Sequence, residues 1–121
     1  MKSDNIIQKK SFEFAIRIVK AYKYLKNEKR EFIMSKQLLR SGTSIGANIE
    51  ESIGGQSKAD FIHKISISYK EARESLYWIK LLEATDYLEP DLAKSLRNDA
   101  EEICRIIAKI QITTKKNELH P

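Results

Sequence analysis

The chain has few of the residues from which β-rich, disulfide-bonded and membrane-spanning proteins are built. Its 121 residues include four glycines, two prolines and one cysteine. These are too few turn residues for a many-stranded fold, and the lone Cys104 cannot form an intrachain disulfide. No run of about 18 apolar residues is present, and the polar residues 1–5 do not resemble a signal peptide. We therefore expect a helical protein of the reducing cytoplasm with no membrane partner.

The chain also offers little for enzyme chemistry. Its two histidines, His63 and His120, lack neighbours at metal-ligand spacing. Adjacent carboxylates such as Glu50 and Glu51 point about 100° apart on a helix, which does not suit a shared acid–base site. Cys104 lies beside the apolar stripe of the last predicted helix, and we interpret it as a packing residue. The sequence thus predicts no enzyme, no metal site and no cofactor.

Apolar residues recur at helical spacing in four segments, which predicts an all-α protein. The first segment covers about residues 4–27, the second follows Ser35 as N-cap, the third opens at Ser57, and the fourth runs from Pro90 to near residue 116. The Gly54–Gly55 pair ends the second. Short connections favour an antiparallel up-down-up-down four-helix bundle, with residues 1–121 as a single domain. A helix-turn-helix DNA reader, the competing fold, needs a shorter recognition helix.

The second helix carries a row of polar residues beside its apolar row. Its members are Arg40, Ser41, Ser44, Asn48 and Glu51. Two interpretations remain open, a polar network that fixes the helix against its neighbour and a binding groove, and we favour the network because buried polar groups must be paired. Gly42 and Gly46 each cost roughly 1 kcal/mol relative to alanine in a helix. We therefore expect another backbone close to them, from the third helix or from a neighbouring subunit.

Charge points towards an anionic partner. The net charge is +5 and the isoelectric point is about 9.3. We expect one cluster of cations on the outer face of the first helix and another on that of the fourth. The candidate nucleic-acid contacts are Lys9, Lys10, Arg17, Lys20, Arg105, Lys109 and Lys116. A solvated surface is the ordinary alternative for such residues.

A second set of apolar residues lies outside the expected core. It forms one stripe on the first helix and another on the third. The members are Phe12, Ile16, Val19, Ile67, Trp78 and Leu81. Two such stripes, one with a tryptophan, indicate subunit contacts in a homo-oligomer.

The residues 37–51, 58–62 and 69–78 resemble a bacterial four-helix bundle family, and the resemblance extends over nearly the whole chain. The family was first noticed as open reading frames in intervening sequences of 23S rRNA genes, and its members are also labelled S23 ribosomal proteins. It includes the accessory variability protein of diversity-generating retroelements. The chain departs from other members at Gly46, where they often have proline, and at residues 50–52, where they often have Ala-Glu-Gly.

The resemblance implies a ring-shaped homopentamer. It also implies binding of nucleic acid, because one similar member does so beside a reverse transcriptase. We therefore expect a non-enzymatic oligomer that binds the backbone of RNA or DNA, with a reverse transcriptase as a partner suggested by the resemblance alone. The alternative is a protein–protein scaffold that binds no nucleic acid and whose basic surface only keeps it soluble.

Overall fold

The computed structural model describes the backbone of residues 2–55 and 57–119 and the side chains of residues 6–55 and 57–116. It contains four helices and, within those ranges, no strand. The helices are α1 (Lys2–Asn27), α2 (Met34–Ile53), α3 (Lys58–Ala84) and α4 (Pro90–Leu119). The predicted all-α, four-helix architecture is therefore confirmed. None of these helices combines the length and the apolar character that crossing a membrane requires.

The four helices share one hydrophobic core. Consecutive helices pack against each other, and α1 also packs against α4. Each helix buries one stripe at the spacing of three and four residues that places side chains on a common face. The largest side chains with almost no exposure include Phe14 and Ile18 of α1, Ile45 of α2, Ile79 of α3 and Ile103 of α4. Cys104 belongs to the same core cluster.

The start of α2 differs from the prediction that Ser35 is its N-cap. The helix already begins at Met34, and Ser35 is buried inside its first turn. The carboxylate of Glu31 accepts hydrogen bonds from the backbone N–H groups of Ile33, Met34 and Ser35, at 2.8–3.1 Å. The Ser35 hydroxyl donates to the carbonyl oxygen of Glu31 at 2.8 Å. Glu31, four residues before Ser35, therefore caps the helix through its longer side chain, and a carboxylate suits a helix N-terminus.

The ends near the second connection agree with the sequence analysis. Helix α2 ends at Ile53, with Gly54 as its C-cap residue. Ser57 is the N-cap of α3, and its hydroxyl accepts a hydrogen bond from the backbone N–H of Asp60 at 3.1 Å. This contact satisfies one of the N–H groups that the first turn of a helix leaves without a partner.

The two glycines of α2 approach α1, so the expectation that they face α3 is wrong for this chain. A Cβ atom built on Gly42 would lie 2.8 Å from both Cγ1 and Cγ2 of Ile18. One built on Gly46 would lie 3.4 Å from the Oγ of Ser11, which is nearly an ordinary contact. Gly42 and Gly46 lie on the α1 side of Ile45, whereas the small polar residues lie on its α3 side. The tightest contact is therefore with a side chain, at Gly42, whereas the expected backbone neighbour is found at Gly46, where the new Cβ would lie 3.5 Å from the carbonyl oxygen of Ser11.

Candidate nucleic-acid interface

The four basic candidates of α1 lie on two different sides of the helix. Lys9 and Lys20 are exposed, as expected. Lys10 and Arg17 instead turn towards α4, where the Lys10 Nζ lies 2.8 Å from Glu102 and the Arg17 guanidinium pairs with Asp99. The hydrogen bond and the charge of Glu102 raise the pKa of Lys10. The prediction that all four share one outer face is therefore wrong.

The three basic candidates of α4 are all exposed. Arg105, Lys109 and Lys116 follow one another at spacings of four and seven residues, which places them along one face. Within the part of the chain whose side chains are described, no ion pair involves any of them. Their charges are therefore available to an external anion.

A groove between α3 and α4 adds two cations that sequence reasoning missed. Its volume is about 330 Å³. Helix α3 supplies one wall, with Tyr69, Arg73, Leu76 and Lys80, and α4 supplies the other, with Glu101, Cys104, Arg105 and Ala108. The signal that could have identified the α3 wall is its spacing of four, three and four residues, which is that of one helix face. That the α3 residues face those of α4 could be seen only in the tertiary structure.

The pKa of Cys104, which lines this groove, depends on both burial and the neighbouring charges. Its side chain is 7% exposed, and desolvation by burial raises the pKa of the thiol. The charges of Arg73 and Arg105 act in the opposite direction, and that of Glu101 acts in the same direction as burial. A raised pKa makes the reactive thiolate form rarer, which agrees with a packing role.

The polar row of α2 is occupied mainly by contacts within the chain. Ser41 is fully buried, and its Oγ accepts a hydrogen bond from Ser75 of α3 at 2.9 Å. Asn48 is half-buried and donates to the carbonyl oxygen of Ser44, one turn earlier, at 2.8 Å. Ser68 of α3 donates to the carbonyl oxygen of Ile45 at 3.0 Å. The contacts of Ser75 and Ser68 join α3 to α2, whereas that of Asn48 stays within α2, and both kinds are expected of a polar network.

The two charged members of the row also contact α3. Arg40 pairs with the carboxylates of Glu71 and Glu74. Glu51 pairs with Lys64, at 2.7 Å. The hydrogen bond from Trp78, followed by that from Arg40, lowers the pKa of Glu74. Ion pairs between α2 and α3 therefore line the outer edge of this contact.

The apolar candidates for a subunit contact form two patches. On α1, Phe12 and Ile16 are 67% and 42% exposed, and Val19 is half-buried. On α3, the candidates Ile67, Trp78 and Leu81 are half-buried.

The α3 patch extends further than the sequence analysis indicated. Tyr77 is 58% exposed and packs edge-to-face on the Trp78 ring, with centroids 5.1 Å apart. Trp78 itself packs against the core, and its indole N–H donates to Glu74 at 3.0 Å. Tyr77 is the aromatic side chain that the helical pattern did not single out. We use the name α1 patch for Phe12, Ile16 and Val19, and α3 patch for Ile67, Tyr77, Trp78 and Leu81.

Metal-binding residues are not grouped in the described part of the chain, where no set of three or more His, Cys, Asp or Glu side chains could hold an ion. His63 is exposed on α3. His120, the other histidine, lies outside the described residues.

Comparison with known proteins identifies the family. A family model described as 23S rRNA-intervening sequence protein matches residues 3–109. Among solved structures, the chain is similar to a protein of unknown function from the S23 ribosomal protein family of Bacteroides thetaiotaomicron. The two are 52% identical, with a TM-score of 0.89, over 90% of this chain and 97% of the other. Comparison with curated proteins gives no significant match. The chain therefore belongs to the 23S rRNA-intervening sequence protein family.

Proposed function

We propose that this protein is a non-enzymatic, homo-oligomeric accessory protein of the cytoplasm that binds the phosphate backbone of RNA or DNA. The observation that carries the proposal is the distribution of its cations. Lys9 and Lys20 of α1 and the three basic candidates of α4 are exposed, and none joins an ion pair among the described side chains. Contacts of this kind give affinity without sequence preference.

The proposal includes an up-down-up-down arrangement of the helices. Rising residue numbers on one helix meet falling numbers on the next, as in a pair of antiparallel helices. Ser11 and Ile18 of α1 face Gly46 and Gly42 of α2, respectively. In the same way, Lys10 and Arg17 pair with Glu102 and Asp99 of α4. These pairings support the antiparallel bundle.

The proposal also includes a closed ring of subunits, five by family resemblance. The α1 patch and the α3 patch lie on different helices and differ in composition. A contact between unlike patches of neighbouring subunits is head-to-tail, and such contacts generate rings when the rotation closes. We also propose a reverse transcriptase as a partner, on the family resemblance alone.

A mobility-shift experiment over a salt series tests the binding. The full chain should shift both a structured RNA and a duplex DNA at low salt. The logarithm of the affinity should fall linearly with the logarithm of the salt concentration, by roughly 0.7–0.9 per phosphate neutralised. The double variant Lys9→Gln/Lys20→Gln should lower this slope. The matched control is Lys29→Gln/Lys36→Gln, which removes the same charge from the α1–α2 connection and the first turn of α2.

A wild-type protein that shifts neither nucleic acid at low salt would favour the second candidate, a scaffold that binds only protein. The exposed side chains of Phe12, Ile16 and Tyr77 are the observation in its favour. Exposed apolar patches mark protein contacts in general. Under this alternative, the cations serve only solubility.

A further inference from the structure

The charge that lines the groove between α3 and α4 is mainly positive. Three cations line it, Arg73 and Lys80 from α3 and Arg105 from α4, against one carboxylate, that of Glu101. Among the described side chains, none of the three cations is in an ion pair. Like charges that converge without partners repel one another, so an anion placed between them would relieve that repulsion.

The chemistry of the walls indicates what kind of anion fits. Guanidinium groups bind phosphate oxygens through paired N–H donors, and two of the three cations are arginines. Tyr69 is half-buried against the core and lines the same wall as Arg73, one helical turn away, so part of its side chain borders the groove. An electropositive groove with an aromatic side chain is the arrangement that proteins use to hold the backbone of a single strand while a base stacks on the ring.

The aromatic side chain favours a single strand over a duplex. Arg73, Lys80 and Arg105 are all exposed side chains of the groove walls, so their charges attract the phosphates of either form. Only a single strand, whose bases are not held in pairs, can place a base on the ring of Tyr69. Arg73 and Lys80 are seven residues apart, or about 10 Å along the helix axis, which leaves room for more than one phosphate.

We propose that the α3–α4 groove is a phosphate-binding subsite for single-stranded nucleic acid, in which Arg73, Lys80 and Arg105 contact phosphate oxygens and Tyr69 stacks on a base. The inference rests on the proposed function and adds to it a location and a strand preference. The cations of α1 lie outside this groove and supply charge at longer range.

The test is fluorescence anisotropy with a labelled oligouridylate of twelve nucleotides and a labelled RNA duplex of the same length. In the full chain at low salt, Arg73→Gln/Arg105→Gln should weaken binding of the single strand about tenfold or more. Its salt slope should fall by roughly 1.4 units, about 0.7 for each phosphate contact removed from a single strand. The control Lys29→Gln/Lys36→Gln, which lowers the charge equally, should change the affinity less than about threefold through long-range screening alone.

Two further variants separate charge from structure. Arg105→Lys keeps the charge but loses the paired N–H donors, so it should lose part of the affinity and less than Arg105→Gln, whereas Arg105→Glu should lose more than Arg105→Gln. Both substitutions lie at an exposed position outside the core, so circular dichroism should show unchanged helix content. Equal losses for Arg105→Lys and Arg105→Gln, with helix content also reduced, would attribute the effect to folding and overturn the inference.

The location is tested by photo-crosslinking of an oligouridylate that contains 4-thiouridine, followed by peptide mapping. Crosslinks should fall on residues 69–80 and 101–108. Binding by the wild type that is unaffected by Arg73→Gln/Arg105→Gln, or that gives no crosslinks within those ranges, would overturn the groove while leaving the proposed function intact. Equal weakening of duplex and single strand would overturn the strand preference. Failure of the wild type to bind either would remove the proposed function itself.

Discussion

Adding one methyl group at Gly42 should destabilise the protein, whereas the same change at Gly46 should stabilise it slightly. Both glycines lie inside α2, so Gly→Ala improves helix propensity by roughly 1 kcal/mol at either position. The surroundings differ. The new Cβ at Gly42 would lie 2.8 Å from two carbons of Ile18, a side chain with no exposure. The new Cβ at Gly46 would have its nearest neighbour at 3.4 Å.

The balance at each position follows from these distances. Overpacking of a well-packed core costs about 1–3 kcal/mol. Because Ile18 is β-branched and its two γ carbons lie next to the backbone, it cannot move aside by turning a flexible end. Gly42→Ala should therefore be less stable than the wild type by about 1 kcal/mol, and Gly46→Ala more stable by about 0.5–1 kcal/mol. The two variants should differ in melting temperature by roughly 6–8 °C.

Urea denaturation followed by circular dichroism measures both variants at one fixed protein concentration, because the proposed assembly would make apparent stability depend on concentration. Ile18→Ala removes the carbons that the new methyl meets, so Gly42→Ala should no longer destabilise in that background. This coupling is the value that a double-mutant cycle isolates. A Gly42→Ala variant that is more stable than the wild type, with no coupling to Ile18→Ala, would refute the close approach of α1 and α2.

Three further outcomes are expected. Glu31→Ala should destabilise the protein by roughly 2 kcal/mol, measured by urea denaturation, because three backbone N–H groups at the start of α2 lose their acceptor; Glu31→Gln, which keeps one carbonyl oxygen, should cost less. In native mass spectrometry, Phe12→Glu/Ile16→Glu should dissociate the oligomer. The control Ile33→Glu, which changes an exposed apolar side chain on the α1–α2 connection, should not. A wild-type monomer at every concentration would contradict the proposed assembly. Folding lowers the pKa of Glu74 from its ordinary 4.5, so the stability that this carboxylate contributes is present above pH 4.5 and is lost as the pH falls through the lower, folded-state pKa. Glu74→Gln should therefore flatten the acid side of a curve of unfolding free energy against pH. An unchanged curve would show that the Glu74 carboxylate contributes nothing.

Periodicity predicted most of the fold because helix burial depends on local spacing. The apolar spacing within residues 4–27 predicted a helix with one buried face, and the structure buries the apolar side chains of that face from Ile7 to Leu25. The N-cap at Ser57 was also predictable, since a serine hydroxyl reaches only the nearby N–H groups. The cap of α2 was missed because Glu31 acts from outside the usual capping position, through a side chain long enough to reach back to the helix.

The candidate interface was less predictable because it depends on which faces meet. Lys10 and Arg17 look like surface cations on α1 alone, and only the position of α4 shows that Glu102 and Asp99 neutralise them. The α3–α4 groove joins side chains about 30 residues apart in the sequence. Spacing within one helix identifies a face, but it does not identify the helix that lies opposite.

The proposed assembly and the proposed binding affect each other through charge. Each subunit carries +5, so a ring of five would bring together five times that charge. Self-repulsion of this size opposes the closing of the ring, and the apolar α1 and α3 patches must outweigh it. A polyanion that spans several subunits neutralises the charge and gains affinity from their multiple contacts. By linkage, whatever binds the ring more tightly than the separated subunits also stabilises the ring. The unpaired cations that weaken assembly in the absence of nucleic acid are therefore those that would favour it when nucleic acid is bound.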